Sequence, residues 1–548
     1  MKYAAQIVVM LLLCGLGAWA RQQPGHAETK AVTLVSGLGD LHHPVTTSNP
    51  EAQKFFDQGL RYMFAFNHEE AGRSFQRAAE LDPKLAMAYW GMALAVGPNY
   101  NDPGDPDRFK VAHDAAQKAA SLAQGATPNE RGYIAALVLR FPGEANADLR
   151  HAAEQYRDAM RNVTKQFPDD LDAATLFAEA GMLLHPWGLW HPDGTAEVGT
   201  AEIVSSLESV LRRDPNHIGA IHYYIHAVEA SPNPERALAP AGRLAALAPA
   251  AGHLVHMPGH VYIRTGDFES AIKTNQKAAE ADRAYQQASG GQGMYLAMYY
   301  SHNLHFIAAC ASMDGDYAEA RKAAAMLAAH VGPLLKDMPP LEAFMTVPIA
   351  VEVRFHKWDQ ILALPQPDPA MLATTSVWHF ARGMAFAGKG RITEAEAEYK
   401  IVAEAEANTP PDAIFAAPIN NKTKDILKIA TNVLGAEIAI AKHDPGAALS
   451  RLRQAVTIQD SLHYDEPPDW SYPVRETLGG VLLATGKAAE AEKTFREDLD
   501  RNPRNPRSLF GLREALKAQG RGYDAQFVDK QFQSAWKGAI ALKTEDLI

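Results

Sequence analysis

The feature that most constrains this chain is a helical hairpin pattern that recurs at fixed offsets. "EAQKFFDQGLRYMFAFNHEEAGRSFQRAAELDP" carries Gly59, Tyr62, Ala71, Phe75, Ala78 and Pro83. "YPVRETLGGVLLATGKAAEAEKTFREDLDRNP" repeats the pattern with Leu478, Gly479, Gly486, Ala491, Phe495 and Pro503, and "SVWHFARGMAFAGKGRITEAEAEYKIV" with Gly383, Phe386, Gly390, Ala395 and Tyr399. Small residues let the two helices of a hairpin approach closely, and aromatics fill the gap to the next hairpin. Proline stops the second helix. Because Ala-rich amphipathic stretches cover nearly all of 50–535, the reading is all-α: a right-handed solenoid of helix-turn-helix repeats, residues 50–363 forming one lobe and 376–548 another. The Pro-rich seam between them covers 364–375.

These segments, with "AYWGMALAVGPNYN", "HPWGLWHPDG", "HYYIHAVEA", "HMPGHVYIRTGD", "YYSHNLHF" and "PPDWSYPVRETLGG", resemble exported bacterial multi-repeat tetratricopeptide repeat proteins. The resemblance implies the fold and an exported location, and carries no activity. It also implies that positions 2, 5, 9 and 12 of each first helix face a concave groove.

On a 34-residue frame started at Ile218 and Gly252, His222 and His256 fall at position 5 and His226 and His260 at position 9. A third repeat started at Ser301 puts His302 at position 2 and His305 at position 5, and His253 also falls at position 2. Offsets of three and four share one face of a helix. Ten of the 21 histidines lie between His185 and His305, about twice what uniform scatter gives. Imidazole suits Zn, Cu and Fe, and a helical His pair four apart can hold one ion from one side. The predicted metal ligands are therefore His222, His226, His253, His256, His260, His302 and His305. Seven exceed the roughly four ligands of one Zn, so either two ions bind or some imidazoles stand behind the ligands.

Glu229, at position 12, is the best placed carboxylate to orient a ring, with Glu179 a looser candidate. His185, Trp187, Trp190 and His191 sit on "HPWGLWHPDGT", whose turn residues exclude helix, and this loop is expected either to cover the site or simply to pack. A second insertion, "QASGGQGMYLAMYY", precedes His302. "HYDEPPDWSYP" at 463–473 brings Asp465, Glu466 and Trp470 together and reads by default as a rigid linker, with substrate contact the alternative. Met257, Met294 and Met298 lean slightly toward copper, although Met is also common filler in helical cores.

"MKYAAQIVVMLLLCGLGAWA" reads as a cleaved signal over residues 1–20, followed by an extension over 21–49, with a lipid anchor through Cys14 a weaker alternative. The expected location is periplasmic or secreted. Loss of Lys2 would move the formal charge from -11 to -12, which offers no footprint for nucleic acid. Only Cys310 would remain, so no internal disulfide is expected, and no later segment has the roughly 18 apolar residues of a membrane span. Phosphate loops, nucleophile elbows and the H-E-x-x-H helix are absent. Three readings stay open: a metal-binding protein or metal-dependent enzyme, a metal-free scaffold taking a peptide, protein or small-molecule ligand in the groove, or an interaction array in which the histidines are incidental.

Overall fold

The computed structural model describes residues 31–144, 146–290, 293–416 and 421–548. The signal segment 1–20 and the first part of the extension lie outside the described residues. Those residues form helices joined by short turns and no strand, with three isolated β-bridges. Consecutive helices pack on one another, so the expected all-α array of tetratricopeptide-type hairpins is what the chain builds.

One hairpin explains the rest. The helix Pro50–Phe64 starts at Asn49, whose side chain accepts from Glu51 N and Ala52 N, and places proline where a missing N–H costs nothing. It ends in a turn at Phe66, with φ of 54°, and Asn67 caps the next helix, His68–Leu81. Phe75 on that second helix is fully buried. A Cβ at Gly59 would stand 2.6 Å from the Phe75 ring, and one at Gly91 in the following helix 2.5 Å. The ring thus lies in a slot that only glycine leaves open. Phe495 repeats the arrangement, with Cβ positions at Gly479 and Gly511 only 2.4 and 2.2 Å from its ring.

The helices group into two compact units. One comprises 1–186, 205–220 and 284–292, and the other 187–204, 221–283 and 293–548. Residues 364–375 lie inside the second unit. The first unit holds a buried polar triad in which Asp172 receives His43 Nδ1 at 2.7 Å and His217 Nε2 at 3.1 Å. His217 Nδ1 in turn accepts from the Ala220 amide at 3.1 Å, so its Nε2 must be the protonated nitrogen. Burial opposes ionisation of Asp172, but bonds and charge from the two histidines outweigh it and hold the carboxyl well below the usual range. Among the described residues no helix is long and apolar enough to cross a membrane.

Candidate metal centre

All seven predicted histidines lie in the second unit. His222 and His226 sit four apart on the helix Ile218–Val228, and His253 and His256 on the short helix Gly252–His256. Pro258, which has no N–H, then opens a new helix, Pro258–Arg264, carrying His260. His302 lies at the start of Ser301–Asp314, directly after the π-helical turn Leu296–Tyr300, a distortion that often marks functional segments.

The side chains do not line an open groove. His222, His226, His253, His256 and His260 are each at most 2% exposed. Trp187 stands edge-on to His226 with ring centroids 5.8 Å apart, Tyr299 lies 4.5 Å from His253, and Phe306 lies 4.8 Å from His256. The groove expectation is corrected here: aromatic side chains and the 463–473 segment enclose the imidazoles.

Potential ligand atoms gather in two sets of three, His222–His226–His253 and His256–His260–His302, each within 4.8 Å. A further set, His226–Glu229–His260, joins them. His222 Nε2 stands 3.0 Å from His253 Nε2, and His256 Nε2 stands 2.7 Å from His260 Nε2. Ligand nitrogens about 2.0–2.1 Å from one metal ion stand roughly 3 Å apart.

The outer nitrogens fix the tautomers. Glu229 accepts from His226 Nδ1 at 2.8 Å through one oxygen and from His260 Nδ1 at 2.5 Å through the other. Asn275 donates its amide N–H to Ala271 O at 2.8 Å, which turns its oxygen toward His256 Nδ1 at 2.6 Å. His226, His256 and His260 therefore each commit Nδ1–H outward and present the Nε2 lone pair inward, the disposition of metal-bound histidine.

Packing supports this geometry. A Cβ at Gly259 would come 2.6 Å from the Asn275 amide, and one at Gly252 would come 1.9 Å from Asp282 Oδ1. Both glycines let the helix Phe268–Ser289 approach the histidine helices closely. Asp282 accepts from Asn303 at 2.7 Å and from the Tyr295 hydroxyl at 3.0 Å, while that hydroxyl accepts from His253 N–H at 3.1 Å. Burial pushes Asp282 up to about 7.

Electrostatics divides the histidines. Burial and neighbouring imidazoles hold His253, His256 and His302 well below the usual histidine value. Burial also opposes charge on His260, but Glu229 and Glu466 outweigh it and push that ring up to about 10. Glu466 Oε2 lies 2.9 Å from His260 Nδ1.

Glu466 was not legible as a partner of His260, since its stretch, although it brings Asp465, Glu466 and Trp470 together, reads by default as a linker. That stretch instead lines a cavity of about 190 Å³ with Arg264, Phe268, Tyr464, Asp465, Asp469 and Trp470. The Tyr464 hydroxyl donates to Glu466, and the Arg264 guanidinium lies 5.5 Å from the Tyr464 ring. Burial raises Asp465 well above the carboxylate range, and the neighbouring Asp469 adds to the effect. The cavity meets the histidine cluster through Glu466, which touches both.

Other expectations are corrected. His305 is outside both ligand sets, its ring edge-on to Phe344 with centroids 5.8 Å apart. Glu179 belongs to the first unit, where it faces Arg140 at 3.9 Å and burial pushes it up to about 7. His185, also in the first unit, stands 3.5 Å from Arg150, while His191 is half-exposed beside Glu197. Trp190 supports the site indirectly, donating Nε1–H to Ala227 O at 2.8 Å. Met257 is buried, but Met294 is exposed and Met298 packs against an apolar cluster, so the lean toward copper loses its basis.

Residues 255–285, which run from within the histidine helices into Phe268–Ser289, match the tetratricopeptide repeat family. The chain is thus an all-α array that carries a tetratricopeptide repeat at its histidine-rich part. No curated protein matches it. Among solved structures, the human IFIT1 dimer with m7Gppp-AAAA is similar at 11% identity over 89% of this chain and 91% of that one, with a TM-score of 0.31. Ypp1 is similar at 10% identity over 90% of this chain and 82% of that one, with a TM-score of 0.45.

Proposed function

We propose that the enclosed histidine cluster is a transition-metal centre, Zn, Cu or Fe being the ions its donors suit. One observation carries the reading. His256 and His260 both send Nδ1–H to fixed acceptors, so two Nε2 lone pairs face each other at 2.7 Å. Two lone pairs at that distance repel unless a cation lies between them. A proton on His260 meets the need in the metal-free protein, and a metal ion meets it while also engaging the remaining imidazoles. The apolar rings around the site and the shared Glu229 brace are what a metal pocket requires of its surroundings.

The test uses full-length protein carrying no histidine tag, incubated with each metal, desalted and analysed for elements. At least one ion per chain is expected to stay bound, and His226→Ala with His260→Ala is expected to lower retention severely. Equal metal in both proteins would refute the centre. The metal-free scaffold draws its support from the 190 Å³ cavity, whose acidic and aromatic lining suits a small ligand. A wild type that retains no metal would favour it.

We also propose that the protein is exported, on the evidence of the apolar run and the Ala18-Trp19-Ala20 ending. Mass spectrometry of protein from its own host is expected to show a mature N-terminus between about residues 20 and 28. An intact Met1 on the folded protein would contradict this.

A further inference from the structure

We propose that the cluster holds two metal ions, one on His222, His226 and His253 and the other on His256, His260 and His302, with Glu229 as the carboxylate standing behind both. This rests on the metal-centre reading and goes beyond it in number and in architecture. The ligand atoms separate into two triads, each compact enough for one ion. Each triad contains a close Nε2 pair, at 3.0 Å in one and 2.7 Å in the other. A single ion would use one such pair and leave the donor nitrogens of the other triad to a proton-bridged contact.

Each triad also has the same origin in the chain. An i, i+4 pair supplies two rings, on one helix for His222 and His226 and across the break before Pro258 for His256 and His260, and a third comes from further along the chain: His253 for the first triad, His302 for the second. The tandem repeat has thus produced two similar half-sites. The triads abut, with ring centroids of His226 and His260 5.5 Å apart and those of His253 and His256 5.7 Å apart. Glu229 joins them by taking one ring from each triad on its two oxygens.

Three neutral imidazoles and no thiolate select for zinc or copper over magnesium and calcium, which prefer oxygen. Three protein ligands also leave at least one position open on a four-coordinate ion, the pattern of sites that bind a further molecule. The ligand class is accordingly a pair of imidazole-bound first-row ions with exogenous positions free for water, hydroxide or a small anion.

The experiment titrates metal-free, full-length protein with Zn(II) and counts retained zinc per chain after gel filtration. The result expected is two. His222→Ala with His253→Ala should retain one, held by the second triad, and His256→Ala with His302→Ala should retain one, held by the first. Glu229→Gln offers an oxygen to only one of the two rings, so at least one ion should bind about 10- to 100-fold more weakly. One zinc in the wild type would overturn the two-ion architecture while leaving the metal centre standing, whereas none would overturn both. A paired variant that keeps two ions, or a helical, folded paired variant that keeps none, would also overturn it. Should a variant lose its far-UV helical signal, the wild-type count decides alone.

Discussion

Asn275 determines which nitrogen His256 presents. Its own amide is spent on Ala271 O, so only its oxygen is available to the ring. Asn275→Leu removes that acceptor and frees the imidazole to change tautomer. Metal affinity is expected to fall about 10- to 100-fold with helicity retained, measured by competition with a chromophoric chelator; unchanged affinity would show that the ring is oriented by something else. A second residue makes a pH statement. Burial pushes Asp498 up to about 6 from an ordinary 3.8, and neighbouring Glu476 adds to the rise, although Ser508, Asn505 and Asn502 donate to it. The folded protein then holds a proton that the unfolded chain has already lost. Stability from this group is present below about 3.8 and is lost as pH climbs toward about 6. Its whole effect is on the order of 3 kcal/mol at most, at about 1.4 kcal/mol per unit. In denaturant melts between pH 4 and 7, wild type should lose stability relative to Asp498→Asn as pH rises. Parallel curves would contradict the assignment.

At the scale of elements, the sequence carried the hairpins because their signature is local. Gly59, Phe75 and Gly91 form one slot, and the repeat pattern names two of its three members, Gly59 and Phe75. Phe75→Ala should destabilise the first unit by about 3–5 kcal/mol through the cavity it leaves. Phe75→Leu combined with Gly59→Ala should cost less than the two single changes summed, since the smaller side chain makes room for the added methyl. Strict additivity in thermal melts would argue against the slot. The histidine stripe was legible for the same reason: helical phase put His222, His226, His256 and His260 on matching faces. Glu229 followed from its three-residue step after His226. Glu466 was illegible because a segment about two hundred residues downstream delivers it, and a Pro-rich run says nothing about where it docks. Asn275 and Asp282 were illegible because polar residues on a helix look solvated until Gly259 and Gly252 admit them to the interior. His305 misled because a shared frame fixes direction only as far as the local helix neighbours agree.

The molecule as a whole has two units of helical hairpins and places its polar interior differently in each. In the first, the His43–Asp170–Asp172 group could also offer ligand atoms, but His43 and His217 both donate to Asp172, so its histidines are already spent on a carboxylate. In the second, the tautomers point lone pairs at one another. Metal should therefore act on one unit. Ligand at 100 times its dissociation constant stabilises the folded state by about 2.7 kcal/mol, so hydrogen exchange is expected to slow in 221–264, 293–306 and 463–473 when zinc is added, with 50–96 unchanged. Uniform slowing along the chain would speak against a localised centre. The most direct measurement is X-ray absorption at the zinc edge of the loaded protein. A first shell of nitrogen at about 2.0–2.1 Å with imidazole outer-shell scattering from about three rings per ion is expected; a sulfur shell near 2.3 Å, or light scatterers without imidazole features, would contradict the imidazole centre.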